Sequence, residues 1–301
     1  MHEITARKSK VITDSAFKGY DYCINPYVGC QMGCSFCYVR FFIKDPDHAW
    51  GEFVRIRKHI DEKLPKEIEK LENVRLVFGT MTDPYMPLEK KHRITRTALT
   101  HILNNVEHFD KIGIFTRSPV VLDDIDLISK LPRARVHVSI SPFENDIIKK
   151  LEPITIPLKT RFNMVKKLKE AGIRVHVNIA PCLPVYSDKV IEYLAKEIGK
   201  LNVDEFFIDP VQPYGDSLTA ITEALTDDPD WEFVSPLLQK GAKKPYSEWK
   251  ESFRLKWQKA WEEHGSKNTL AIWSDHENRV WRKLISNESM DPRMYGDDLE
   301  P

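Results

Sequence analysis

Strand-length apolar segments alternate with helix-length segments through residues 20–213, and this order restricts the fold of the 301-residue chain more than any other feature. Five strand-length segments are rich in Val, Ile and Phe and lie at residues 75–79, 111–116, 134–140, 173–179 and 205–209. Helices are predicted between them near residues 58–72, 93–108, 123–131, 157–171 and 188–201. With a first strand near residues 20–27, the pattern makes six β/α units. Because helical crossovers join parallel strands, it predicts an α/β fold with a parallel sheet.

The predicted domain organisation has three parts: a lead-in at residues 1–19, the β/α units at 20–213, and a helical extension at 214–301. Six of the seven tryptophans lie in the extension. Trp249, Phe253, Trp257 and Trp261 recur every four residues, which places them along one face of a helix. We expect this aromatic stripe to pack against the β/α units, with an exposed base-stacking surface as the alternative.

The charge balance gives no indication of a polyanionic partner. Lys plus Arg and Asp plus Glu both total 45, so the formal net charge is zero. A basic patch keeps nucleic acid open as a partner, although a solvated surface explains the same residues: Lys240, Lys243, Lys244, Arg279, Arg282 and Lys283.

The five cysteines are too few and too unevenly spaced for a disulfide framework, which favours a reducing compartment. The segment 1–8 lacks the apolar core of a signal peptide, and no apolar run approaches the length of a membrane span. We therefore expect a cytoplasmic protein with no membrane partner.

Cys30, Cys34 and Cys37 form a C-x3-C-x2-C motif, the strongest chemical signal in the chain. Three clustered thiolates can hold three corners of a [4Fe–4S] cluster and leave one iron open to a small molecule. Structural zinc and electron-transfer clusters normally take four protein ligands. The alternative is a closed site in which Cys23 supplies a fourth ligand. Such a site would either bind zinc or form an iron–sulfur electron-transfer or binding module.

This motif, with Tyr38 after its third cysteine, resembles the radical S-adenosylmethionine (SAM) superfamily. The resemblance implies a partial (β/α)6 TIM-type barrel with the C-terminal helical extension outside it. It also implies a [4Fe–4S] cluster whose open iron chelates SAM, an electron donor such as flavodoxin or ferredoxin, and cleavage of SAM to a 5′-deoxyadenosyl radical that abstracts hydrogen from a substrate. Function in such a barrel belongs at the C-terminal ends of the strands.

Further segments narrow the resemblance to the spore photoproduct lyase-like branch and span about Tyr20 to Pro184. They are residues 25–30, 82–89, 116–118, 123–127, 151–153 with Arg161, 171–173 and 180–181. Each is weak alone, and their combination is specific.

The resemblance assigns candidate roles to strand-end residues. Asp83 matches a position that binds the SAM amino group, and Arg117 matches a basic position near the SAM carboxylate; both pairings suit the charges involved. Ser139 and Ser141 match positions that reach the ribose hydroxyls, and Asn178 serves the ribose or the adenine. The alternative for each residue is a turn, a cap or a surface pair.

Two departures from the lyase predict a different substrate. The lyase carries a hydrogen-donating cysteine three residues before the aspartate, where this chain has Thr80, whose O–H bond is too strong to give a hydrogen atom to a carbon radical. Phe36 replaces a tyrosine between the second and third cluster cysteines. Cys182, after the fifth strand, becomes the candidate donor if it faces the barrel mouth; the alternative is a buried structural thiol.

Overall fold

The computed structural model describes residues 1–212, 215–239, 241–275 and 280–290. Its strands are β1 (His2–Thr5), β2 (Ile12–Asp14), β3 (Tyr22–Ile24), β4 (Tyr27–Val28), β5 (Phe53–Ile56), β6 (Val74–Phe78), β7 (Phe109–Thr116), β8 (Arg135–Ile140), β9 (Arg174–Cys182), β10 (Glu205–Pro210), β11 (Leu270–Asp275), β12 (Val280–Lys283) and β13 (Ser289–Met290).

The α-helices lie mainly between the strands. They are α1 (Val39–Phe42), α2 (Ile60–Ile68), α3 (Glu89–His92), α4 (Ile94–Leu103), α5 (Ile125–Ile128), α6 (Asn145–Leu151), α7 (Leu158–Glu170), α8 (Ile191–Leu201), α9 (Gly215–Leu225), α10 (Trp231–Val234) and α11 (Lys243–His264). No helix in the described parts of the chain is both long and apolar enough to cross a membrane.

One large sheet carries the fold. Its described strands run in the order β13-β12-β11-β10-β9-β8-β7-β6-β3-β2. The strands from β3 to β11 are parallel, whereas β2 pairs antiparallel with β3, and β12 pairs antiparallel with β11. Because the parallel strands point the same way, their C-terminal ends meet on one side of the molecule, as the partial barrel requires.

Alternating residues of the strands divide the packing between two faces. Val136 and Val138 of β8 are fully buried in the main apolar core, which also contains Val165 and Leu168 of α7. The intervening His137 faces the barrel interior, where its ring stacks on Phe115 with the ring centroids 4.3 Å apart. The outer face therefore holds the helices, and the inner face is available for polar chemistry.

The turn between β2 and β3 closes the open side of the partial barrel. Phe17 in this turn packs against two groups of buried residues, one near β3 and β6 and the other on β10, β11 and β12. These are Tyr20, Cys23 and Val77, and Phe207, Ile272 and Trp281. The lead-in at residues 1–19 thus contributes to the barrel wall, and β1 pairs with β5 in a separate three-stranded sheet with β4.

The C-terminal region differs from the helical extension predicted for residues 214–301. It contains α11, but it also adds β11 as a seventh parallel strand beside β10, followed by β12 and β13. The aromatic stripe of α11 packs inward, since Phe253 and Trp257 are fully buried and the Trp261 ring lies 4.4 Å from that of Phe206 on β10. Of the basic patch, Arg279 and Lys240 lie outside the described residues.

Candidate active site

A cavity of about 660 Å³ opens at the C-terminal ends of the parallel strands. The loop that carries Cys30, Cys34 and Cys37 forms one side of it. Strand-end residues form the rest, among them Thr80, Asp83, Arg117, Ser139, Asn178, Ala180 and Asp209. Six β/α units therefore converge on a single space with the three cysteines.

Two glycines shape the cysteine loop. Gly29 has a φ of +83°, and a Cβ there would lie 2.7 Å from the carbonyl oxygen of Phe53. Gly33 has a φ of +63°, and its Cβ would lie 3.2 Å from Cα of Gly51. The loop passes so close to neighbouring backbone, in a left-handed conformation, that residues with side chains would strain it.

Burial raises the pKa of all three thiols, to about 11 for Cys37. The free thiols therefore stay protonated at neutral pH, and an iron centre that binds them must displace their protons.

The spacing of the cysteines fits a cluster better than a zinc ion. The sulfur atoms of the three cysteines do not all lie within 4.8 Å of one another. Among the described residues, the group of potential metal ligands that does meet this limit is on the surface and consists of Glu192, Glu263 and His264. Tetrahedral zinc with Zn–S bonds of about 2.3 Å would bring its sulfurs to about 3.8 Å. Wider spacing suits the corners of a cubane cluster.

Cys23 does not complete a four-cysteine site. It lies on β3, where its sulfur is 3.3 Å from Oγ1 of Thr13, and it is absent from the cavity lining. The closed-site alternative therefore has no support from this arrangement.

Asp83 lies in the loop after β6 and lines the cavity. Its Oδ1 accepts hydrogen bonds from Oγ1 of Thr116 (2.7 Å) and N–H of Tyr85 (2.9 Å), and its Oδ2 accepts one from N–H of Arg117 (3.0 Å). Burial raises the pKa of the carboxyl, whereas these three donors oppose that shift. Because a carboxylate offers about four acceptor positions, one remains on Oδ2 for a ligand.

Arg117 directly follows β7 and touches the cysteine loop. Its Nη1 donates to Sγ of Cys34 (3.0 Å) and to Oε1 of Glu152 (2.8 Å), and its guanidinium lies 5.5 Å from the centroid of the Phe36 ring. In the described chain both side-chain hydrogen bonds use Nη1, so the Nε and Nη2 edge can meet a carboxylate in two parallel hydrogen bonds.

Three other predicted residues also line the cavity. Ser139 ends β8, and Asn178 lies beside it on β9 in direct register. Tyr38 is half exposed, and its hydroxyl donates to the carbonyl oxygen of Thr80 at 2.6 Å. All three remain candidates for contact with SAM or a substrate.

Ser141 and Cys182 lie elsewhere, so the positions expected for them are corrected. Both are fully buried and absent from the cavity lining. The Ser141 hydroxyl donates to Glu152 rather than facing a ribose, and the Cys182 thiol donates to the carbonyl oxygen of Ile179 at 3.4 Å. Cys182 lies at the end of β9, two residues beyond the cavity-lining Ala180, but its side chain is enclosed in the apolar core.

Several residues of the site were missed in the sequence. Asp209 lines the cavity near the end of β10, and its place at the end of the last predicted strand was a usable signal. Phe17 and Trp50 also line the cavity, but they come from loops outside the β/α pattern. No periodicity marks such residues.

Comparison with known proteins decides the family. The profile of the radical SAM superfamily matches residues 24–198. The chain belongs to this superfamily. It is therefore a radical SAM enzyme, and its cofactors are a [4Fe–4S] cluster and SAM, as the cysteine motif predicted.

The chain is also similar to two relatives in sequence and to a solved structure in fold. An uncharacterized protein of Methanocaldococcus jannaschii is 31% identical over 195 residues, covering 64% of this chain and 72% of the relative. An uncharacterized protein of Acidianus two-tailed virus is 31% identical over 229 residues, covering 70% and 72%. A spore photoproduct lyase mutant with bound AdoMet and dinucleoside spore photoproduct superposes with a TM-score of 0.63 at 14% identity, over 89% of this chain and 80% of the lyase. The predicted lyase-like fold is confirmed.

Proposed function

We propose that this enzyme holds its cluster through Cys30, Cys34 and Cys37, cleaves SAM reductively, and abstracts hydrogen from a substrate in the same cavity. The observation that carries the proposal is the shared space: the three cysteines, Asp83 and Arg117 all line one cavity at the strand ends. When bound, the reduced cluster and SAM together supply the radical that takes the hydrogen atom. The protein's own residues bind, orient and enclose these groups.

Asp83 and Arg117 are placed to hold the amino-acid end of SAM. The remaining acceptor position of Asp83 suits an ammonium, and the Nε and Nη2 edge of Arg117 suits a carboxylate. The hydrogen bond from Arg117 N–H to Asp83 fixes the two residues relative to each other. Ser139 on β8 and Asn178 on β9 line the same cavity. We assign Ser139 to the ribose of SAM and Asn178 to the ribose or the adenine.

The aromatic part of the cavity lining suits a substrate. Phe17, Phe115, Phe207, Phe42 and Trp50 present aromatic surface there. Aromatic surface excludes water from the reacting atoms, which limits side reactions of a carbon radical. Tyr38 supplies the phenol hydroxyl of this lining, and we assign it a catalytic role beside the substrate.

The reaction differs from spore photoproduct repair in its hydrogen-donating step. Thr80 lines the cavity where the lyase has its cysteine, and its Oγ1 accepts a hydrogen bond from Nδ2 of Asn25 at 3.2 Å. The buried Cys182 does not replace it from the cavity lining. The substrate and the fate of its radical therefore differ from those of the lyase, and a one-electron donor such as flavodoxin or ferredoxin completes the system.

The proposal is tested by anaerobic reconstitution. Wild type should bind four irons and produce methionine and 5′-deoxyadenosine from SAM under dithionite. Cys30→Ala, Cys34→Ala and Cys37→Ala should each lose SAM cleavage, because each removes one of the three cluster ligands. Cys23→Ala is the matched control and should keep both the cluster absorbance and the cleavage. Loss of the cluster in Cys23→Ala alone would show that the site is closed by four cysteines.

A further inference from the structure

The segment 151–153, at the C-terminal end of α6, is fixed against the cysteine loop. The backbone N–H of Ser35 donates to the carbonyl oxygen of Leu151 at 2.9 Å. A Cβ at Gly33 would lie 3.5 Å from Cγ of Pro153, so the proline packs directly over the loop. The residue between these two contacts, Glu152, is thereby held beside the cysteines although it is distant from them in sequence.

Glu152 is fully buried and has several donors. It accepts hydrogen bonds from the Ser141 hydroxyl, from Nη2 of Arg161 and from Nη1 of Arg117. Burial alone would raise the pKa of this carboxyl, but Arg117 and Arg161 lower it below its ordinary value. The group is a buried carboxylate between two guanidinium groups.

Arg161 is itself anchored by the backbone. Its Nε donates to the carbonyl oxygen of Ile156 (3.0 Å), and its Nη1 donates to that of Ser139 (3.1 Å). Because Arg161 is fixed by the end of β8 and by α7, the position of Glu152 is fixed as well. Arg117 joins this network through its long side chain, which reaches Glu152 from the end of β7.

Nη1 of Arg117 joins this network to the cysteine loop. It lies 2.8 Å from Oε1 of Glu152 and 3.0 Å from Sγ of Cys34. A hydrogen-bond donor on a ligating sulfur draws electron density from it and changes the potential of the metal centre. An arginine side chain otherwise has about 2 kcal/mol of rotamer entropy, so a fixed carboxylate is needed to keep it in this position.

We infer that Glu152 is a positioning residue, which holds Arg117 on the sulfur of Cys34 while the Nε and Nη2 edge of the same guanidinium stays directed to the SAM carboxylate. The inference rests on the proposed function, since it takes Cys34 as a cluster ligand. The segment 151–153 and Arg161 then act together, because both fix the position of Arg117. The Arg117 side chain links the environment of the cluster to SAM binding.

The experiment is a double-mutant cycle between Glu152→Gln and Arg117→Met in anaerobically reconstituted protein. Each variant is measured for iron content, for the cluster reduction potential by EPR-monitored titration, and for SAM affinity by equilibrium dialysis. Glu152→Gln should keep its iron, weaken SAM binding about tenfold and shift the potential. In the Arg117→Met background, the same substitution should change the SAM affinity less than threefold and shift the potential less than in wild type, because its effect passes through Arg117.

The comparison of the two backgrounds decides between positioning and simple charge. Equal changes in both backgrounds would mean that Glu152 acts through its own charge, and the inference would be overturned; unchanged SAM affinity and potential in Glu152→Gln would overturn it as well. Glu205→Gln is a control for replacing a buried carboxyl elsewhere in the barrel, and it should alter neither quantity. A wild type without a cluster would refute the proposed function instead.

Ser141→Ala provides a second, milder variant if Glu152→Gln fails to assemble a cluster. It removes one donor to Glu152 and leaves both charges in place, so we expect SAM affinity to fall two- to threefold in wild type and not at all in the Arg117→Met background. An unchanged SAM affinity in Ser141→Ala would then count against the positioning role.

Discussion

Asp83 shows how one side chain can be shared between structure and ligand. It ties the ends of β6 and β7 together through Thr116 and Arg117 and still has an acceptor position on Oδ2. We predict that Asp83→Asn weakens SAM binding roughly ten- to a hundredfold, because loss of a charge-assisted contact costs about 1.5–3 kcal/mol. Iron content should be unchanged, and SAM affinity is measured by equilibrium dialysis.

The control for Asp83→Asn is Asp209→Asn. Asp209 lines the same cavity from β10, which is four strands away from β6 in the sheet. The Asp209→Asn substitution replaces the same type of group as Asp83→Asn. It therefore separates a specific contact of Asp83 with SAM from a general electrostatic effect in the cavity. Equal losses of SAM affinity in both variants would contradict the assignment of Asp83.

Cys182 is expected to be structural. Its thiol is fully buried, and burial raises its pKa well above the ordinary value, so it stays protonated. We predict that Cys182→Ala leaves SAM cleavage unchanged and costs about 1–2 kcal/mol of unfolding free energy through the cavity it creates. The measurements are 5′-deoxyadenosine formation and urea denaturation.

A deuterium experiment checks the Cys182 assignment without a known substrate. In D2O, an exchangeable S–D group within reach of the radical would transfer deuterium to 5′-deoxyadenosine. If wild type incorporates deuterium and Cys182→Ala loses it, then Cys182 reaches the cavity in solution and is a hydrogen donor after all.

At the scale of single residues, the sequence predicts the chemical role of a side chain better than the direction in which that side chain points. The spacing of Cys30, Cys34 and Cys37 was sufficient to indicate the cluster, because three ligands in one loop must be close in any fold. Ser141 was placed correctly next to a strand end, but it is buried, and its hydroxyl is taken by Glu152, a partner that no local pattern indicates. Glu152 stood in a segment that carried the family resemblance, together with Arg161, but its role could not be predicted, because its partners come from three separate elements.

At the scale of elements, the parallel strands were predictable because each is a short segment rich in Val, Ile and Phe between helix-length segments. The strand β11 was missed. Its six residues follow the long helix α11, and the tryptophan pattern of that region suggested helix throughout. The segment of β11 forms a strand because it pairs with β10. Local sequence patterns do not predict pairing between segments that are far apart in the sequence.

The strand β7 contains a glycine that the barrel interior requires. A Cβ at Gly113 would lie 2.5 Å from Cζ of Tyr20, whose hydroxyl is hydrogen-bonded to Nε2 of His137 at 2.8 Å. We predict that Gly113→Ala destabilises the protein by about 1–3 kcal/mol, because the ring of Tyr20 must move. Thermal unfolding measures this, and the spectrum of the reconstituted cluster reports on any effect at the site.

The double variant Gly113→Ala with Tyr20→Leu tests the cause. Removing the ring gives the new methyl group space, so the two substitutions together should be less destabilising than the sum of their separate effects. Strict additivity would mean that the cost of Gly113→Ala arises in the backbone of β7 and not from Tyr20.

At the scale of the whole molecule, the barrel interior beneath the cavity is polar. Lys111, Arg135, His137 and His176 are buried there with Glu205. The carboxyl Oε1 of Glu205 lies 3.7 Å from Nδ1 of His176. Burial lowers the pKa of both histidines well below the ordinary value of 6.5, so they are neutral at pH 7.

Glu205 makes the stability of the whole barrel depend on pH. Burial raises the pKa of its carboxyl from 4.5 to about 8, although the nearby Arg135 and Arg174 oppose the shift. The folded state therefore holds this proton more tightly than the unfolded state, and the resulting stability is present below pH 4.5 and is lost as pH rises through about 8. The loss is at most about 1.4 kcal/mol per pH unit.

Glu205→Gln should remove this slope, because glutamine does not titrate. Below pH 6.5 the neutral histidines contribute the opposite slope, since they must gain protons on unfolding, so the window between pH 6.5 and 8 isolates the glutamate. Urea denaturation across that window should show wild type losing stability relative to Glu205→Gln. Glu170→Gln, an exposed substitution on α7, should follow wild type. Parallel curves for wild type and Glu205→Gln would mean that the carboxyl is already ionised in the folded barrel, paired with the cations around it.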